Sequence, residues 1–83
     1  MKTYLVIGDW NTFMKFIRHK FGFYDRETVA LLHRNDEIYI RSVSDKFLNT
    51  IGEKYKLQEC LMPDLISDPE GWEYSGNSML FDI

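Results

Sequence analysis

An antiparallel α+β fold is what this sequence predicts, and three features predict it. Short stretches of β-branched and aromatic residues, such as Thr3–Ile7 and Glu37–Val43, read as strands. Two segments between them carry apolar residues at helical spacing. Turn-forming residues stand at the junctions. Composition supports a packed core: 45% of the 83 residues are hydrophobic and 16% aromatic, far from the profile of a disordered chain. A chain of this length makes one domain and buries only about 60–65% of its unfolded surface, so large aromatic side chains matter to it.

The elements follow in order. Thr3–Ile7 is a continuous apolar run ending at Gly8-Asp9, and reads as a central strand. Asp9 or Asn11 supplies an acceptor for the free N–H groups that open a helix over Asn11–Phe21. Phe13, Phe16, Ile17 and Phe21 share one face of that helix, and Gly22 stops it. Phe23–Arg26 is a connector. Thr28–His33 and Glu37–Val43 form a hairpin around Arg34-Asn35-Asp36. Ser44 caps a second helix, with Phe47, Leu48, Ile51 and Tyr55 on its apolar face, Gly52 inside it, and Lys54 and Lys56 closing it. The gap left by Gly52 is expected to let the helix approach the sheet closely. Leu57–Met62 is a fourth strand, ended by Pro63. Asp64–Gly71 is a loop or a short turn of helix, and Trp72–Tyr74 with Met79–Ile83 read as a second hairpin around Ser-Gly-Asn-Ser.

Strand, helix, strand, strand, helix, strand is the βαββαβ order of the ferredoxin-like fold. Residues 1–62 are expected to form that core, with both helices on one sheet face. Residues 63–83 add an acidic loop and a C-terminal β-hairpin extension. The sheet face away from the helices is then solvated, covered by the hairpin, or used for binding.

Charge is distributed unevenly. Residues 1–57 carry all ten Lys and Arg against seven acidic residues, whereas residues 58–83 carry Glu59, Asp64, Asp68, Glu70, Glu73 and Asp82 and no basic residue. The pI near 5.2 argues against a general nucleic-acid binder. The single cysteine, Cys60, excludes an internal disulfide and points to a reducing, cytoplasmic setting. No apolar run approaches the roughly 20 residues that span a bilayer, and MKTYLVIGDW lacks the features of a signal peptide.

No catalytic motif emerges, and no cofactor or metal is implied. Cys60 sits in an apolar run without a base nearby. His19 and His33 are not at ligand spacing with any carboxylate or thiol. Asp9 ends the first strand, as a metal-binding Asp does in small ferredoxin-like nucleases, yet it is better placed as a helix cap. There is neither a Gly-rich phosphate loop nor a G-x-S-x-G elbow. LVIGDW (Leu5–Trp10) only partly resembles the first-strand signature of RNA recognition motifs. Val6 occupies the aromatic position, and EIYIRSV lacks the Lys/Arg-Gly-aromatic run.

Two surfaces remain as candidates. Asp64, Asp68, Glu70 and Glu73 surround Trp72 and Tyr74, which is the composition of a protein contact site with aromatic anchors in a charged rim. Adjacent carboxylates can also imitate nucleic-acid phosphates in a basic groove. Lys15, Arg18, His19 and Lys20 on the first helix form a basic face, and Tyr4, Tyr39 and Trp10 are candidate stacking platforms, for nucleic acid. The leading expectation is a non-enzymatic protein-binding module. Its size and charge are similar to those of phage or mobile-element proteins that inhibit or regulate nucleic-acid enzymes and defence complexes. An RNA-binding or RNA-cleaving domain is the second reading. The third is a dimeric α/β-barrel that encloses a small ligand. The chain is expected to be a monomer or homodimer with a protein partner and no membrane association.

Overall fold

The computed structural model describes residues 1–22 and 27–81. Five strands and two α-helices build one antiparallel sheet backed by helices. The order is β1 (Thr3–Ile7), α1 (Trp10–Phe21), β2 (Val29–Arg34), β3 (Glu37–Ser42), α2 (Asp45–Gly52), β4 (Gln58–Cys60) and β5 (Glu73–Gly76), then a 3₁₀ turn at Ser78–Phe81. Across the sheet the strands run β4-β1-β3-β2-β5, each antiparallel to its neighbours. The connector expected at Phe23–Arg26 lies outside the described residues.

Local chemistry sets the helix ends. The Asp9 carboxylate accepts from the Thr12 backbone N–H at 2.9 Å and opens α1, and this bond holds the Asp9 carboxyl below its ordinary pKa. The Gly22 N–H closes α1 by donating to the Arg18 carbonyl at 2.8 Å. Ser44 opens α2 by accepting from the Phe47 N–H at 3.2 Å. Gly52 ends α2 instead of lying inside it, where the bonding tightens from the α-helical spacing to three residues: Glu53 N–H donates to the Thr50 carbonyl at 3.3 Å and Lys54 N–H to the Ile51 carbonyl at 3.1 Å. The expected close approach at Gly52 is also absent: a Cβ there would meet only Leu57, at 3.9 Å.

The pleat divides the apolar residues between two faces. On one, Val6, Val29, Leu31, Ile38 and Ile40 pack beneath Phe13, Met14, Phe16 and Ile17 of α1 and Phe47 and Ile51 of α2. Both helices therefore cover the same face. On the other, Ala30 and Leu32 are fully buried under Phe81, with Tyr39, Met62, Leu65, Trp72 and Leu80 packed around them. The C-terminal segment is thus a second layer over β2 and β3.

That layer is not the expected hairpin. β5 pairs with β2, aligning Leu32 with Tyr74 and His33 with Glu73. Within residues 78–81 the chain forms a 3₁₀ turn in place of the return strand, and the last part of the expected hairpin, residues 82–83, lies outside the described residues. Two residues cause the change. Gly76 has φ +82° and brings its backbone against the Val29 carbonyl. Asn77 then ties the segment down: its N–H donates to Val29 O at 2.8 Å, its amide donates to Glu27 O at 3.2 Å, and its Oδ1 accepts from Met79 N–H at 3.1 Å. Arg41 clamps the turn from below, donating from Nε to Thr3 Oγ1 at 2.7 Å and from Nη1 to the Leu80 carbonyl at 2.9 Å. Phe81 can reach the core only because the chain turns in this way.

Candidate functional site

The acidic segment is held to the sheet by its own aromatic and by Arg34. The Arg34 guanidinium lies 4.1 Å from the centroid of the Trp72 ring, donates to Asp68 Oδ2 at 2.7 Å and donates to the Glu70 carbonyl at 3.0 Å. The Trp72 indole N–H donates to the Asp68 carbonyl at 2.8 Å, and its ring meets Tyr39 edge-on at 5.6 Å. The guanidinium lowers the Asp68 carboxyl pKa, and the Arg34 pKa rises in return. Asp64 accepts from the N–H groups of Ile66 at 3.0 Å and Ser67 at 2.9 Å, which tightens the turn and lowers its pKa.

The candidate partner residues therefore divide. Trp72 is half-buried and serves as an anchor of the layer. Asp64 and Asp68 are exposed but engaged in holding it. Glu73 faces His33 across the β2–β5 ladder, Oε2 to Nε2 at 3.4 Å. Glu70 is exposed, and its carboxylate makes no ion pair among the described residues. Tyr74 is 44% exposed and Ile66 94%, so the free apolar surface is carried by these two. Between them lies a groove of about 570 Å³, floored by Met62, Leu65, Trp72 and Phe81 and edged by Pro63, Asp64 and Pro69. Leu61 and Met79, 90% and 75% exposed, extend the apolar character of this segment.

A second groove, of about 740 Å³, runs between α1 and β5. Trp10, Asn11, Met14, Lys15 and Arg18 form the α1 side, and His33, Glu73, Tyr74 and Ser75 the sheet side. Trp10 stacks flat on His33, ring centroids 3.7 Å apart and planes within 6°. His33 feels two opposed influences. Its contact with Glu73 favours the imidazolium, while burial beneath Trp10 favours the neutral ring; burial dominates and the pKa falls below 6.5.

The basic face predicted on α1 is split by this geometry. Lys15 and Arg18 line the groove beside β5. Lys20 lies 6.0 Å from the Phe16 ring, on a flank shared with Lys54 at 5.0 Å from the same ring. His19 is exposed and borders neither groove. Tyr39 lies beneath Trp72 and inside the second layer, so its ring is turned to the C-terminal segment. The Cys60 thiol is pushed up in pKa, chiefly by burial and then by Glu59. Among the described residues no group of three or more His, Cys, Asp or Glu is placed to hold a metal ion, and no helix is long and apolar enough to cross a membrane.

Sequence reasoning missed Arg34 and the Trp10–His33 stack. Arg34 read as a turn residue, although an arginine beside a chain whose tail holds only carboxylates was a signal for pairing. Nothing local linked Trp10 to His33. Comparisons of the chain with protein-family models, with curated proteins and with solved structures find no match.

Proposed function

We propose that this chain is a non-enzymatic protein-binding module whose contact surface is the groove between Ile66 and Tyr74. The observation that carries this reading is the pairing of a fixed apolar floor with strongly exposed apolar rims. A large side chain at 94% exposure is ordinary alone. Next to an apolar groove, with Asp64, Asp68 and Glu70 around it, it has the form of a contact site with an anchor pocket and a charged rim. The Arg34–Trp72–Asp68 arrangement supports the same reading, since a surface held in one conformation loses less entropy on binding.

The partner is a protein that presents an apolar side chain flanked by Arg or Lys. A basic groove on a nucleic-acid-handling enzyme or a defence complex has that chemistry, and occupying it makes the module an inhibitor or regulator. The scaffold is read as ferredoxin-like. The order β4-β1-β3-β2 supports this, with β5 as an added edge strand. A cytoplasmic setting is proposed with it, on the strength of a single unpaired cysteine.

The nucleic-acid reading keeps Lys15 and Arg18 in one groove but loses Tyr39 as a stacking surface. Closure of two sheets into a dimeric barrel meets the C-terminal layer, which occupies the required face over β2 and β3.

Affinity capture from the source cell tests the proposal, comparing the wild type with an Ile66→Asp/Glu70→Lys variant. Among the described residues the Ile66 side chain is 94% exposed and the Glu70 carboxylate makes no ion pair, and the bond from Arg34 goes to the Glu70 backbone carbonyl, which the substitution leaves in place. A protein retained by the wild type, lost by the variant and released by added salt is the expected result. Equal retention by both overturns the assignment of this groove.

A further inference from the structure

β5 stands between the two grooves and is the last strand of the sheet among the described residues. No strand among these residues pairs with its outer edge. The ladder to β2 sets which backbone groups face outward. Asn77 N–H donates to Val29 O, and the register continues through Ala30–Gly76, Leu31–Ser75, Leu32–Tyr74 and His33–Glu73. In an antiparallel pair the residues alternate between those bonded to the neighbour and those whose N–H and C=O point away. By that alternation Ser75 and Glu73 turn to β2, and Tyr74 presents its N–H and C=O to the outer edge.

The side chains of β5 alternate as well. Glu73 and Ser75 lie on the α1 face, in the groove with Lys15 and Arg18. Tyr74 belongs to the opposite face, in register with Leu32, and borders both grooves.

We infer that the outer edge of β5 takes up an extended segment of the partner protein by strand addition, a segment whose side chains alternate acidic and apolar. The inference rests on the protein-binding reading above and gives it a mode. A strand laid beside β5 must send successive side chains to opposite faces. Those directed to the α1 face meet Lys15 and Arg18, whose charge calls for a carboxylate. The one carboxylate already lining that groove, Glu73, is turned towards His33, Oε2 to Nε2 at 3.4 Å. Those directed to the other face meet Tyr74 and the apolar floor beside Trp72. Arg or Lys flanking the segment then faces Asp64 and Glu70. The opposite edge of the sheet lacks these features: β4 is three residues long, its Glu59 is paired with Lys2 at 3.2 Å, and neither groove reaches it. β5 is four residues long and ends at Gly76, so the recognised segment is short.

The test uses fluorescence anisotropy with three labelled sets of short peptides and the full chain. One set alternates Asp or Glu with Leu, Ile, Val or Phe and carries Arg or Lys at both flanks. A second has the same composition with acidic and apolar residues in separate blocks. A third is the alternating set with N-methyl groups on the backbone. The alternating set should bind about five- to tenfold more tightly than either control, because N-methylation removes main-chain bonds and the block pattern misplaces side chains. Lys15→Glu/Arg18→Glu should reduce that binding by a similar factor. Tyr74→Pro removes the outward N–H together with the ring and should abolish the difference between methylated and unmethylated peptides, whereas Tyr74→Ala, which removes the ring alone, should weaken binding of both and keep that difference. Equal binding of all three sets overturns strand addition while leaving a protein-binding groove in place. Binding of none overturns both readings. Binding of short single-stranded RNA that is lost in Lys15→Glu/Arg18→Glu and unaffected by Tyr74→Pro overturns the inference in favour of a nucleic-acid ligand.

Discussion

Phe81→Ala tests whether the C-terminal layer belongs to the cooperative fold. Phe81 is 0% exposed and seals Ala30 and Leu32, both also at 0%, on the sheet face away from the helices. Truncating a buried phenylalanine costs about 3–5 kcal/mol, from lost transfer energy and the cavity left behind. A domain of this length has a total stability of about 4–12 kcal/mol, so the loss is a large fraction of the whole. With a urea dependence of about 1 kcal/mol/M for so small a chain, the unfolding midpoint should fall by about 3–5 M or the domain should fail to fold. Phe13→Ala, at an equally buried position on the helix face, is the reference and should cost about the same. Urea titrations followed by tryptophan fluorescence and by circular dichroism should coincide for the wild type. A Phe81→Ala midpoint within about 1 M of wild type, beside a costly Phe13→Ala, would refute the reasoning. The C-terminal segment would then be a separately melting flap, unable to hold a rigid contact surface.

Three further outcomes are expected. Gly76→Ala should destabilise by more than about 2 kcal/mol in the same titration, since φ +82° is strained for alanine and its Cβ would overlap the Val29 carbonyl; a neutral result would mean that β5 is not docked as described. Arg34→Ala should shift Trp72 emission to the red and speed proteolysis within residues 64–71, because the guanidinium covers the ring and pins the loop; an unchanged spectrum and cleavage rate would refute the anchoring role. Stability should also decline with falling pH below about 6.5: His33 has a lowered pKa when folded, so the unfolded chain binds its proton first. The stability is complete above pH 6.5 and is lost until the folded imidazole titrates. His33→Gln should flatten this part of the profile, and a slope that persists in the variant would place its origin elsewhere.

The helical and strand elements up to α2 were readable because each carries a strong period and a local stop signal. Asp9, Gly22 and Ser44 act on their immediate neighbours, so their roles follow from adjacent residues. α2 was read too long because Tyr55 keeps helical spacing with Ile51 although the chain has already left the helix at Gly52. The region after Pro63 was harder. Its strand has only four residues, too few for a period to stand out, and Asn77 and Phe81 act through partners about 50 residues away.

The candidate site follows the same division. That the tail is anionic and bears aromatic anchors was legible from composition. Which carboxylates remain free was not. Asp68 meets Arg34 only because Trp72 folds over β2, and Glu73 meets His33 only through the β2–β5 register.

The sequence by itself determined the order of the elements through α2, the capping of the helices and the separation of positive body from negative tail. All of these depend on side-chain periodicity and on interactions within one turn of the chain. The tertiary structure alone decided that the tail is a docked layer, that Lys15 and Arg18 share a groove with Tyr74, and that β5 is the last strand of the sheet among the described residues. Those relations join residues far apart in the chain. They exist only after sheet register and close packing have brought them together.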